Sequence, residues 1–390
     1  MSTPLKRRDL LKRGALLTGG LALINGSFLN KVYAKSYTEK PVEGPAFYSS
    51  DMEAIETTPP AIKARLLANE NPFGPSSNAK KAIAEAIELS YQYPRESRAA
   101  LEEKIMTYEG LKPGQLLMAA GSSPLLLAGA LYYGKGTIVS ATPTYEDLLR
   151  HAEQLGTKVV RVPLTADYKY DLDAMEKAID STTSLVYICN PNNPTATVVD
   201  NAKLKAFCER VSKKTTVFID EAYIDYLDDP KSVSLIDSVK KGQNIIVART
   251  FSKLYGFAGL RVGYLVAQPE TVTKLSMYTA GPMSISAPSW GAAVAAYQDK
   301  EYLQDAFNKT MESKKHLYNT LKTEGYEFIP SSANFVMFPV KMESKKFAEE
   351  MMKRGVGVRS WKFIGKEWCR VSIGRMDEME AFATAFKELA

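Results

Sequence analysis

Three short motifs gather residue types that can do chemistry together: Asn190-Pro191-Asn192-Asn193-Pro194-Thr195, Asp220-Glu221-Ala222-Tyr223, and Thr250-Phe251-Ser252-Lys253, with Gly259-Leu260-Arg261 just beyond. Each follows an apolar run of strand length, where open α/β sheets place their ligands. Lys253 comes 33 residues after Asp220, and Arg261 comes 8 after Lys253. A lysine in such a place can act as a nucleophile toward a carbonyl and then as the base for a carbon-bound proton. A carboxylate can hold a protonated ring nitrogen, amide and phenol groups can hold an oxyanion, and hydroxyl, backbone N–H and guanidinium groups can hold a phosphate. Lys253, Asp220, Asn193 with Tyr223, and Ser252 with Arg261 supply these in turn. One Ser-Lys pair or one Asn-Pro turn says little by itself. Their order and strand-end placement carry the inference. Together they are the equipment of a pyridoxal 5'-phosphate (PLP) site, with Lys253 forming the Schiff base.

The elements that must position these residues are legible as periodicity. Ala79, Ala82, Ile83, Ala86 and Ile87 mark one helical face, and Leu101, Ile105 and Tyr108 another. Apolar runs rich in Val, Ile and Tyr follow at 137–140, 185–189, 217–219, 245–248 and 262–266, separated by helix-length stretches. Strands apolar on both faces between helices predict a mostly parallel α/β sheet. After about residue 285 the pattern changes. A long helical region over 288–324 precedes a strand at 334–338, a helix near 343–354, a strand at 356–359, a strand at 369–373 and a last helix from Asp377. This order predicts a smaller α+β domain. The expected division is a segment 1–34, an N-terminal arm 35–65, a large domain 66–285 and a small domain 286–390.

From about residue 64 onward the chain resembles the fold-type I PLP-dependent aminotransferases (class I/II), in the histidinol-phosphate aminotransferase-like branch. Besides the three central motifs, the resemblance rests on Ala68-Asn69-Glu70-Asn71-Pro72-Phe73-Gly74, Tyr93-Pro94, Gly121-Ser122-Ser123, Pro143-Thr144-Tyr145, Ser331 to Phe335, Gly355-Val356-Gly357-Val358-Arg359 and Trp368-Cys369-Arg370-Val371-Ser372-Ile373-Gly374. It implies a large domain with a seven-stranded type of sheet, mostly parallel, between helices. It also implies that Gly121, Ser122 and Ser123 form a phosphate cup, that Tyr145 stacks on the cofactor ring, and that Tyr93 reaches the cofactor phosphate of the neighbouring subunit in a homodimer. Asn71, Asn334, Arg359 and Arg370 are then substrate-binding, Arg370 through the α-carboxylate. The implied reaction moves an amino group between an amino acid, or a histidinol-phosphate-like amine, and a 2-oxo acid. Two departures stand out: Ala196 occupies a position usually held by glycine, and Pro124-Leu125 follows the cup where acidic residues are usual.

Basic residues crowd the first 35 positions, and without them the net charge of +6 falls close to neutral. No basic stripe with interleaved aromatics marks a nucleic-acid partner. Cys189, Cys208, Cys369, His151 and His316 have no metal-ligand spacing. Lys6-Arg7-Arg8-Asp9-Leu10-Leu11-Lys12, the uncharged run from Gly14 to Phe28 and Val32-Tyr33-Ala34 have the three-part layout of an export signal. The paired arginines resemble the twin-arginine type. The run is shorter than the roughly 20 residues that span a bilayer, so cleavage rather than anchoring is expected. The expectation is a periplasmic or exported protein; a cytoplasmic protein with a basic amphipathic start is the other reading. A PLP decarboxylase or lyase, and an exported PLP-fold binding protein without turnover, also remain open at this stage.

Overall fold

Strands apolar on both faces can only be satisfied with a layer of helices on each side, and the chain folds accordingly. The computed structural model describes residues 61–390; the segment expected to be an export signal and most of the expected arm lie outside the described residues. The strands are β1 (Ala64–Arg65), β2 (Leu116–Ala119), β3 (Thr137–Thr142), β4 (Val159–Pro163), β5 (Thr183–Cys189), β6 (Thr216–Asp220), β7 (Ile245–Thr250), β8 (Gly263–Val266), β9 (Phe335–Pro339), β10 (Val356–Gly357), β11 (Arg359–Phe363) and β12 (Lys366–Ser372). Seven of them form the main sheet in the order β2-β8-β7-β6-β5-β3-β4, parallel except for β8, which runs antiparallel to both its neighbours. Alternate residues feed the two cores. Val186, Ile188, Val217, Ile219 and Val247 face one helical layer, while Leu185, Tyr187, Phe218, Ile246 and Ala248 face the other.

The sheet is the α/β architecture read from the sequence, although β2 and β4 were not foreseen. The helical region expected over 288–324 is two helices, Ala287–Ala296 and Lys300–Thr323. Gln298 takes a left-handed backbone, φ 66°, and the Asp299 carboxylate caps the second helix through the Tyr302 N–H, so a capping side chain starts a new helix where periodicity alone ran on. The first of these helices packs against Ser77–Glu88. A Cβ placed on Gly291 would lie 3.1 Å from Ala86 Cβ, and only glycine allows that approach without adjustment. Its buried Trp290, Ala292 and Ala293 join the core of the main sheet, as do Ala296 and Tyr297.

The second core is built around an antiparallel sheet of order β11-β12-β9. The single strand expected at 356–359 divides into β10 and β11. β10 pairs in parallel with β1, Ala64 opposite Val356 and Arg65 opposite Gly357. Ala64 and Leu66 are buried in this second core with Phe338, Phe347 and Phe382. The segment just before the Asn69 motif is therefore anchored among C-terminal elements. Among the described residues no helix is long and apolar enough to cross a membrane, and no group of three or more His, Cys, Asp or Glu side chains is arranged to hold a metal. All three cysteines are buried free thiols.

Candidate active site

The C-terminal ends of β5, β6 and β7 lie side by side, with Cys189 paired to Asp220 and Asp220 paired to Ala248. The loops that leave these ends bring Asn193, Asp220 and Lys253 into one site. Asp220 is 1% exposed. The Tyr187 hydroxyl donates to its Oδ2 (3.3 Å) and the Ala222 N–H to its Oδ1 (3.1 Å). Burial outweighs these bonds and pushes the carboxyl up to about 6. A carboxylate kept from water in this way is complementary to a cationic ring nitrogen.

Lys253 presents its ammonium to the Asn69 carbonyl (3.3 Å) and over the Tyr223 ring, 5.2 Å from its centre. Burial first, and then the nearby Arg370 guanidinium, lower the amine to about 8. Such an amine is neutral often enough near physiological pH to attack a carbonyl. The Tyr223 hydroxyl accepts from Asn69 Nδ2 (3.0 Å) and Asn193 Nδ2 (3.3 Å). Its lone pairs are thereby used, so its proton is left to donate. Asn193 in turn accepts from Arg370 Nη1 (2.7 Å), and Arg370 Nη2 donates to the Leu67 carbonyl (2.8 Å). Arg370 is 2% exposed, and its Nε is buried without a hydrogen-bond partner. Desolvation, then the Arg359 charge, lower its pKa to about 10. A buried guanidinium with an unused donor is a receptor for a carboxylate.

An anion cradle closes the other end of the site. Gly121 takes φ +84°, and a Cβ there would fall 2.2 Å from Arg261 Nη2. A Cβ on Gly263 would fall 2.7 Å from the Ser122 nitrogen. Both positions require glycine because the arginine and the turn pack directly on backbone. Ser122 is the N-cap of the helix Ser123–Tyr133, and its side chain makes no capping bond. Pro124 has no N–H and the Leu125 N–H is taken by the Ser122 carbonyl (2.9 Å), so the Ser123 N–H and the helix dipole are what this end can offer an anion. Arg261 Nη1 donates to Ser252 Oγ (3.1 Å), which brings both to this cradle.

The remaining sequence candidates fall into two groups. Asn334 Nδ2 donates to the Asn69 carbonyl (3.0 Å), and its Oδ1 is buried without a partner. Arg359 lies directly across the β11–β12 pair from Arg370. Tyr145 sits half-buried against the β5 side of the sheet. These three belong to the same neighbourhood. Asn71 does not join them: its side chain donates to the Leu254 carbonyl (2.6 Å) and the Tyr302 hydroxyl (3.1 Å) and accepts from the Phe73 N–H. It holds the loop after Lys253 in place. Tyr93 is 75% exposed in this single chain. Ala196 adopts the left-handed backbone (φ 58°) of a glycine, and its N–H reaches the Asn192 carbonyl at 2.8 Å, so the turn carrying Asn193 is kept. Sequence reasoning missed Asn69 and Tyr187 as site residues. Asn69 touches Lys253, Tyr223, Asn334 and Ser372 and takes a left-handed φ of 55°, which asparagine tolerates; its place in the motif at 68–74 was the one signal for it.

Comparison with known proteins gives the same reading. Residues 61–386 match the family model described as aminotransferase class I and II. A histidinol-phosphate aminotransferase of Moorella thermoacetica is 35% identical over 83% of this chain and 85% of its own length. Histidinol-phosphate aminotransferase 1 of Cupriavidus pinatubonensis is 37% identical over 83% of this chain and 87% of its own. The solved histidinol-phosphate aminotransferase of Sinorhizobium meliloti, in complex with pyridoxal-5'-phosphate, superposes with a TM-score of 0.78 at 25% identity, covering 89% of this chain and 98% of that one.

Proposed function

The chain belongs to the aminotransferase class I and II family, and from that premise we propose that it moves an amino group between an amino acid or histidinol-phosphate-like amine and a 2-oxo acid, with Lys253 as the residue that carries its PLP. That it is a PLP-dependent aminotransferase follows from its relatives; the residue roles and the substrates are our reading. The observation that carries them is the convergence of a lysine with a lowered pKa, a buried carboxylate and a glycine-lined anion cradle at adjoining strand ends. These groups fit PLP. Gly121, Ser122, Ser123, Ser252 and Arg261 would hold its phosphate, Asn193 and Tyr223 its ring oxygen, Asp220 its ring nitrogen, and Tyr145 a face of the ring. When bound, PLP supplies an electrophilic carbon for the incoming amine and a ring that draws electrons from the neighbouring carbon.

The chain's own residues do the rest. Arg370 binds the substrate α-carboxylate through its unused Nε, with Asn334 beside it, and so aims the α-hydrogen. Lys253 takes that proton as a base and returns it as an acid, for which an amine lowered to about 8 is suited. Asp220, in a site that excludes water, stabilises positive charge where it is needed in the transition state. Arg359, across the strand pair from Arg370, offers a second anion site and favours a substrate bearing a phosphate or a second carboxylate. We assign residues 1–34 to a twin-arginine export signal; a shortened chain in the periplasmic fraction is the expected result, and a full-length cytoplasmic chain opposes it.

The deciding experiment follows the visible absorbance of the PLP-loaded protein as amino acids and histidinol phosphate are added singly. Loss of the carbonyl form, restored by a 2-oxo acid, supports amino transfer. Release of carbon dioxide with the absorbance unchanged at completion supports decarboxylation instead. Lys253→Ala should abolish both while leaving the circular dichroism spectrum as it was.

A further inference from the structure

Two amides meet the Tyr223 hydroxyl, and each is turned by a different neighbour. Asn193 is turned by Arg370. A guanidinium only donates, so its Nη1 contact at 2.7 Å falls on Asn193 Oδ1, and Asn193 Nδ2 is left to donate to the Tyr223 oxygen (3.3 Å). Asn69 is turned by Ser372, at the end of β12. The Ser372 hydroxyl accepts from the Asn69 backbone N–H (2.8 Å) and donates to Asn69 Oδ1 (3.0 Å). With the amide reversed, Nδ2 would face an oxygen that already accepts the backbone N–H, and the Ser372 proton would lose its acceptor. Ser372 is 3% exposed and Asn69 1%, so water is not at hand to replace that acceptor, and a buried unmade hydrogen bond is costly.

The contacts that the Asn69 carbonyl receives from Lys253 (3.3 Å) and Asn334 (3.0 Å) fix the turn but not the direction of the amide. That direction matters at Tyr223. As Ser372 sets it, Asn69 Nδ2 donates to the Tyr223 oxygen (3.0 Å) beside Asn193, and both lone pairs of the phenol are used. Burial raises the Tyr223 phenol above its ordinary range, so it keeps its proton. The proton then points into the site. In the reversed amide, Asn69 Oδ1 would face Tyr223 and compete for it.

We propose that Ser372 is a positioning residue for amino transfer: by donating to Asn69 Oδ1 it turns the Asn69 amide so that Tyr223 gives its proton to the ring oxygen of PLP. This rests on the reading of Lys253 and Tyr223 as partners of PLP. A ring oxygen that receives a proton presents less negative charge to the Lys253 nitrogen, which therefore sheds its own proton at a lower pH once it is bonded to the cofactor. Without the Ser372 hydroxyl the amide turns, Tyr223 donates part of the time to Asn69, and the titration of that nitrogen moves up. The test is a pH titration of the visible absorbance of the PLP-loaded protein, which follows that nitrogen without turnover. Ser372→Ala should raise the midpoint by about half a pH unit or more, and Ser372→Thr, which keeps the hydroxyl, should titrate as the wild type does. In a Tyr223→Phe background there is no phenol proton to direct, and Ser372→Ala should leave the midpoint where it is. Melting temperatures report that each variant is folded. A merely structural Ser372 would give a lower melting temperature with the wild-type midpoint. That result, or an equal shift with and without the Tyr223 hydroxyl, would overturn the proposal alone. A wild-type protein that acquires no visible band with PLP would overturn the assignment of Lys253, and the proposal with it.

Discussion

Asp220 is held in an environment that penalises its own charge. Between its ordinary 3.8 and about 6, the folded chain keeps a proton that the unfolded chain has released. The cofactor-free protein therefore loses stability as pH rises through that window, and the cost is fully present above it. Asp220→Asn should make the cofactor-free protein more stable by about 1–3 kcal/mol at neutral pH, and should lower turnover of the loaded enzyme by roughly a hundredfold or more. Urea unfolding and kcat, measured on the same preparation, test both halves. Lys253 behaves in the opposite sense. Its amine is lowered from 10.5 to about 8, so the unfolded chain holds the extra proton between those values and stability rises with pH there. The rate at which cofactor-free protein captures added PLP should climb about tenfold per pH unit below 8 and level off above it. A flat profile would show that the amine is not the group limiting capture.

At the scale of elements, the ends of β6 and β7 are fastened to the helix Arg95–Glu109 by Arg249, which bridges Glu221 and Glu109. Glu221 also accepts from the Ser234 hydroxyl (2.9 Å) and the Leu235 N–H (2.8 Å). Arg249→Met leaves carboxylates buried without their counter-charge and should cost about 3–5 kcal/mol, read as a lower urea midpoint. The legibility of the site divides along the same lines. Lys253, Asp220 and Asn193 could be read because each directly follows an apolar strand, and a strand end fixes where a side chain goes. Asn69 and Tyr187 could not. Asn69 works largely through a backbone carbonyl and a left-handed turn, and Tyr187 reads as one more apolar residue of β5. The short β2 and β4 escaped because four or five residues carry too little pattern. The helix break at Gln298 escaped because one capping aspartate outweighs periodicity on both sides. The two-strand split at Val358 turns on pairing partners remote in sequence, β1 for one half and β12 for the other.

For the whole molecule, the exposed apolar side chains of Ile87, Leu89, Tyr91 and Tyr93 cluster on one stretch of chain. We expect that stretch to be covered in a homodimer in which Tyr93 completes the phosphate site of its neighbour. Sedimentation should give twice the chain mass, and Tyr93→Phe should loosen PLP retention without dissociating the dimer. A fully active monomer would contradict this arrangement. The manner in which the first described strand is placed has a separate consequence. β1 is paired with β10, and the Asn69 N–H is received by the Ser372 hydroxyl at 2.8 Å, across 303 residues. During synthesis the ribosome releases the early partner long before the late one exists. The turn whose carbonyl receives the Lys253 ammonium therefore cannot gain its Ser372 bond until 303 more residues have been made.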